Sequence, residues 1–144
     1  MSHLTSNKLV YCSLGACRIL VMRPATGIYA PVFDTFNPGV PMAYMSCRDI
    51  AARTFQQVDE AMSHAQFGRV IVQAEDIILT MSVGISRLYS DAALGRMLHI
   101  LFSAGSGLET ISQEIVARAQ AQFQGVPPGE RPKFTVCCSV VRSA

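Results

Sequence analysis

DIILTMSVGISRLYSD, residues Asp76 to Asp91, sets a strand, a glycine and a helix start one after another. Ile77–Met81 is apolar and of strand length. Gly84 punctuates it. Ser90 is placed to cap a helix, and Asp91 suits the positive end of the helix dipole. The helix should run for about fourteen residues. Leu94, Met97, Leu98, Leu101 and Phe102 follow the i, i+3, i+4, i+7, i+8 spacing of one buried stripe. In many metal enzymes a carboxylate stands where such a strand ends. Here Ser82 and Val83 precede the glycine, so the turn is present and the acid is not.

Working outward, Gly68–Val72 and Ile77–Ser82 are apolar runs joined by Gln73–Asp76, which predicts a hairpin. Lys8–Leu14 and Cys17–Arg23 flank Gly15 and Ala16 and predict another. Pro24–Gly27 is a turn before a third strand over Ile28–Phe33. Two prolines and a glycine make Phe36–Pro41 irregular. Arg48–Gln66 fits either a helix or a loop. Downstream, Ala104–Gly107 breaks the first helix. Thr110 and Gln113 predict a capping box for a second, striped by Ile111, Ile115, Ala119 and Phe123. Gly125–Pro132 must be irregular, and Phe134–Val141 is a closing apolar strand. Strands, two helices and a strand make an α+β chain: antiparallel sheet with two packed helices. One domain over residues 1–144 is expected, with residues 1–7 disordered.

Composition narrows the function. Half of the 144 residues are hydrophobic, 15% are charged, and the mean hydropathy is +0.30. No run reaches the ~18 apolar residues needed to span a bilayer, so no membrane partner is expected. The net charge is +2, and the twelve basic residues form no stripe, which argues against nucleic acid. The apolar excess therefore implies an interface. Five cysteines, Cys12, Cys17, Cys47, Cys137 and Cys138, show neither a CxxC pair nor zinc spacing. With MSHLTSNK lacking the pattern of a secretory signal, a reducing intracellular compartment is expected: cytoplasmic, with mitochondrial as the alternative.

The order of the motifs resembles the C-terminal half of the type 2C metal-dependent serine/threonine phosphatases, in particular their compact mitochondrial-type branch. Gly15-Ala16-Cys17 followed by ILVMR is similar to that family's G-D-S turn and strand. Phe36-Asn37-Pro38 resembles its F-N-x-P stretch. Ala74-Glu75-Asp76, IILTM and Ser82-Val83-Gly84 stand where the family has an E-G-D strand ending in S/T-D-G. Gly129–Thr135 and VCCSVV stand where it closes on a D-D/N-I-T strand. The resemblance spans Lys8 to Arg142 and implies half of a β-sandwich. It also implies where the acids would be. The G-D-S acid falls at Ala16, the S/T-D-G metal ligand at Val83, and the D-N-I-T metal ligand at Pro132 or Lys133. The family's reaction needs two divalent metals on hard oxygen ligands. Valine and proline cannot supply them, and a lysine repels the metal.

The remaining polar residues offer weak candidates. Glu75 and Asp76 could ligate a metal, but fit the turn between two strands; Asp91 could replace the missing acid, but fits a first-turn helix position. His99 lies beside an apolar stripe, and His64 has no acid or cysteine near it in sequence. Cys17 follows a glycine turn, yet no base is visible to activate it. Cys137 and Cys138, adjacent on a strand, must point to opposite faces. Gly105-Ser106-Gly107 could cradle an anion or form an interhelix turn. The expectation is thus a catalytically inactive phosphatase-like domain with no catalytic residues, no metal site and no cofactor, acting by protein binding or as a regulatory subunit. The alternative is a metal-dependent phosphatase, or another hydrolase, that borrows ligands from a partner chain. VIV, IIL and VCCSVV are apolar on both faces, which predicts a homodimer or a protein partner covering a sheet face.

Overall fold

The computed structural model describes residues 7–13, 17–36, 63 and 65–142. Among these, six strands and three helices form an α+β unit. Strands β1 (Asn7–Ser13), β2 (Cys17–Ala25) and β3 (Ile28–Asp34) lead to β4 (Gln66–Val72) and β5 (Ile77–Ser82). Helices α1 (Val83–Leu88), α2 (Asp91–Ser103) and α3 (Leu108–Ala121) follow. A 3-10 turn at Pro128–Glu130 precedes β6 (Val136–Val140). Asn7 is the first residue of β1. The stretches at Phe36–Pro41 and Arg48–Gln66 lie largely outside the described residues, as do Ala16, Cys47 and His64.

All pairing is antiparallel, in two sheets: β3-β2-β5-β6, and β1-β4. This corrects both predicted hairpins. β1 pairs with β4, from Asn7 opposite Val72 to Ser13 opposite Gln66. β2 instead pairs with β3 and β5. Likewise β4 and β5 are consecutive but belong to different sheets. A short link joins adjacent strands of one sheet or crosses between two, and spacing alone does not distinguish these.

Burial follows the pairing. Arg18 to Met22 of β2 are buried on both strand faces. Leu20 and Met22 join Ile77, Leu79 and Met81 of β5 beneath the helices. Ile19 and Val21 point the other way and are buried as well. On that side the ring of Tyr11 in β1 lies 5.2 Å from that of Phe33 in β3, so the small sheet backs part of the large one. Within a single copy, VIV and VCCSVV are each covered on one face only. Ile71 is 60% exposed, and Cys137 and Ser139 of β6 are exposed while Cys138 is buried.

The helices cover the other face of the large sheet, α2 over β3 and α3 over β6. The Ser90 hydroxyl caps α2 by accepting from the Ala93 amide at 3.1 Å. Leu94, Met97 and Leu98 are buried, with Leu101 and Phe102 partly so. The helix ends in a Schellman arrangement, the amides of Gly105 and Ser106 donating to the carbonyls of Phe102 and Leu101. Gly105 takes the left-handed φ of 78° that this requires. Helix α3 carries the expected Ile111, Ile115 and Ala119 stripe, but not the expected capping box. It starts at Leu108 with Gly107 as its cap, so Thr110 is inside the first turn, and the Gln113 amide reaches Glu109 instead. No helix among the described residues is long and apolar enough to cross a membrane.

Candidate functional site

β5 stops at Ser82 and α1 begins at Val83, a six-residue helix where only a turn was expected. Ser82 stands at the cap position, yet its hydroxyl does not cap α1. It donates to the Lys133 carbonyl and accepts from the Thr135 amide, both at 3.2 Å. The Ser82 amide donates to the Thr135 carbonyl at 3.0 Å. The glycine has its own reason. A Cβ on Gly84 would lie 3.1 Å from the Lys133 carbonyl oxygen and 3.2 Å from the Phe134 ring. Serine and glycine therefore dock the strand–helix junction onto the segment leading into β6, and none of these bonds uses a side chain at position 83.

Beside this junction lies a cleft of about 660 Å³. Cys17 and Ser82 line it from the paired ends of β2 and β5. Val83, Gly84, Arg87 and Leu88 contribute from α1, and Phe123, Pro132 and Lys133 from the C-terminal segment. The fold thus brings Val83 together with Pro132 and Lys133, the positions where the sequence resemblance places metal-binding acids. The residues present do not fit a divalent cation. Valine and proline side chains have no donor atom, and the ammonium of Lys133 and the guanidinium of Arg87 oppose positive charge. Among the described residues, no group of three or more His, Cys, Asp or Glu is arranged to hold a metal ion. Arg87 escaped the sequence reading because α1 carries no stripe long enough to orient it.

The weak candidates are placed apart. Asp76 is fully buried. Its carboxylate accepts from Nε and Nη2 of Arg23, both at 2.8 Å, and from the Gln73 amide at 2.8 Å. It does hold the turn, but its charge is spent on Arg23. Glu75, the tip of that turn, is exposed with φ 70°. Asp91 is the first residue of α2 and accepts from Arg18 Nη2 at 2.8 Å. Arg18 is buried and also grips Asp34 through Nε at 2.8 Å and Nη2 at 2.5 Å. Hydrogen bonds to Asp34, then its charge and Asp91, hold the guanidinium pKa above its ordinary value against the opposing effect of burial. Met22 pairs with Ile77 and Arg18 with Met81, so the two ion-pair sites sit at opposite ends of β5, roughly 16 Å apart at ~3.3 Å per residue.

Asp34 went unnoticed in the sequence because its partner is sixteen residues away in a paired strand. His99 is half-buried on α2. Partial burial pushes the Cys17 thiol up, away from the depressed value a nucleophile needs. Cys137 and Cys138 take opposite faces of β6, one exposed and one buried. Burial, and then proximity to Cys137, pushes the Cys138 thiol up to about 12.

No family model matches the chain, and no curated protein matches it. Among solved structures it is similar to the phosphatase domain of the cell fate determinant SpoIIE from Bacillus subtilis. The TM-score is 0.51 at 11% identity, over 100% of this chain and 54% of that one. The chain thus spans about half the length of that neighbour. The likeness establishes a phosphatase-like fold, in agreement with the half-sandwich expected from the order of the motifs, and assigns no residue a role.

Proposed function

We propose that this chain is a non-catalytic phosphatase-like domain that works by binding. One observation carries the reading. The junction that the sequence resemblance marks as a metal site folds into a cleft, and its relevant positions hold Val83, Pro132 and Lys133, with Arg87 adding a second cation. Metal-assisted hydrolysis draws on two cations to clamp phosphate and acidify a water; among the described residues, this wall has no carboxylate to hold them. The order of the motifs favours the compact mitochondrial-type branch as the origin of the fold. Calorimetric titration with manganese, paired with a phosphopeptide hydrolysis assay, tests the proposal. Affinity no better than millimolar and no turnover are expected. Two cations bound at micromolar affinity would overturn it.

We also propose that a second copy covers the outer face of the small sheet. Val10 is 77% exposed, Phe67 64% and Ile71 60%. The β1–β4 register places Val10 opposite Arg69, Cys12 opposite Phe67 and Lys8 opposite Ile71, all on one face. Leaving such side chains uncovered forfeits about 1.5–3 kcal/mol each, and self-association about a two-fold axis recovers it.

A further inference from the structure

We propose that the cleft beside α1 binds a small amphipathic anion directly, without metal: an apolar body carrying a carboxylate or phosphate head. The inference rests on the reading that the cleft lacks metal ligands, and adds what it holds instead. Its volume of about 660 Å³ falls within the roughly 300–1,000 Å³ of small-ligand pockets. Its walls are of two kinds. Val83, Leu88, Phe123 and Pro132 are apolar, and the Phe123 ring is fixed by Phe134, 5.6 Å away. Arg87 and Lys133 supply positive charge from two different segments.

Among the described residues that charge is uncompensated. Elsewhere Arg18 is paired with Asp34 and Asp91, Arg23 with Asp76, and Arg118 with Glu114. Among the described residues, Arg87 and Lys133 have no carboxylate partner and no carboxylate lines the cleft. A guanidinium and an ammonium beside an apolar wall select an anionic head with an apolar tail. The backbone is held independently of both side chains, through Ser82, the Lys133 carbonyl and Thr135. Replacing the charges therefore leaves the walls in place.

The experiment titrates the chain with 2-naphthoate, 2-naphthyl phosphate and the uncharged 2-naphthylmethanol in EDTA, following amide shifts of Val83, Gly84 and Leu88 by NMR. Saturable shifts are expected with both anions. Arg87→Gln and Lys133→Gln should each weaken binding about tenfold, as for the loss of one charge-assisted contact, and the alcohol, which loses both, by about a hundredfold. Arg96→Gln, on exposed α2 surface, should leave it unchanged, and unaltered melting curves verify the fold of each variant. The two anions distinguish a carboxylate from a phosphate preference. Equal binding of the alcohol, indifference to both cleft substitutions, or no shifts with any probe would overturn the proposal. Because EDTA is present throughout, these outcomes are independent of manganese titration, which tests the non-catalytic reading separately.

Discussion

Gly95 is where local preference and packing give opposite signs, so a single substitution decides between them. It sits mid-helix in α2, buried against β3. Glycine is a poor helix former, and Gly95→Ala should gain about 0.8–1.0 kcal/mol from propensity alone. A Cβ there, however, would overlap the carbonyl oxygen of Tyr29 and lie 3.1 Å from a side-chain carbon of Ile28. A carbon–oxygen contact ordinarily needs about 3.3 Å or more, so α2 and β3 must separate by over ~1 Å. Overpacking costs about 1–3 kcal/mol, and the obstacle is backbone, which places the cost near ~3. The net loss is about 2 kcal/mol, a fall in Tm of about 6–10 °C for a domain of this size. Thermal melting by circular dichroism reads it, with Arg96→Gly on the exposed side of the same helix losing about 1 kcal/mol by propensity. A Gly95→Ala variant that melts at or above the parent temperature refutes the close approach of α2 to β3.

Arg18→Met should cost about 2–3 kcal/mol, below the ~3–5 for a fully buried pair because Asp34 and Asp91 keep 30% and 36% of their side-chain surface and can hydrate; denaturant unfolding measures it, and no loss would make the cluster ornamental. The Cys138 thiol is raised in the folded chain from 9.0 to about 12, so its contribution is whole below pH 9 and is lost as pH rises toward 12, at about 1.4 kcal/mol per pH unit. Cys138→Ala should flatten that alkaline decline, and an identical profile counts against the burial. Val83→Asp with Pro132→Asp should not yield manganese-dependent hydrolysis of a phosphopeptide, since two added carboxylates remain opposed by Arg87 and Lys133; robust turnover defeats the reasoning. Sedimentation equilibrium at about 100 µM, well above a nanomolar-to-micromolar dimer constant, should find a dimer that Phe67→Lys dissociates, and a well-behaved parent monomer rejects the interface.

The six strands and the two long helices were legible because each depends on a short window. The Ser90 cap and the Leu94–Leu98 stripe of α2 lie within one another's reach along the chain, as do Ile111, Ile115 and Ala119 of α3. Pairing was not legible. β1 finds β4 across more than fifty residues, and the composition of KLVYCSL is equally suited to β2. The helix α1 was missed because VGISRL has six residues and a glycine, too little for a periodicity to show. The ion pairs were missed for the same reason as the sheet order: Arg18 meets Asp91 over a separation of 73, and Arg23 meets Asp76 over 53.

The site divides along a similar line. Ser82 and Gly84 fit their places through packing and backbone hydrogen bonds, which are demands of the fold. Position 83 faces a cleft and satisfies none of those demands. A strand–helix junction can therefore keep its shape with valine where a metal site would have aspartate, because scaffold and chemistry are borne by different atoms. The same division limits what the fold says about activity. A backbone superposition responds to the Ser82–Thr135 ladder and the α1 docking, whichever side chain stands at 83. What the cleft does depends on the charges projecting from that frame, and at Arg87 and Lys133 these are positive, with no carboxylate partner among the described residues. On the proposed reading, a phosphatase-like backbone whose described cleft residues are electropositive and partly apolar holds an anion directly rather than placing two metals against it.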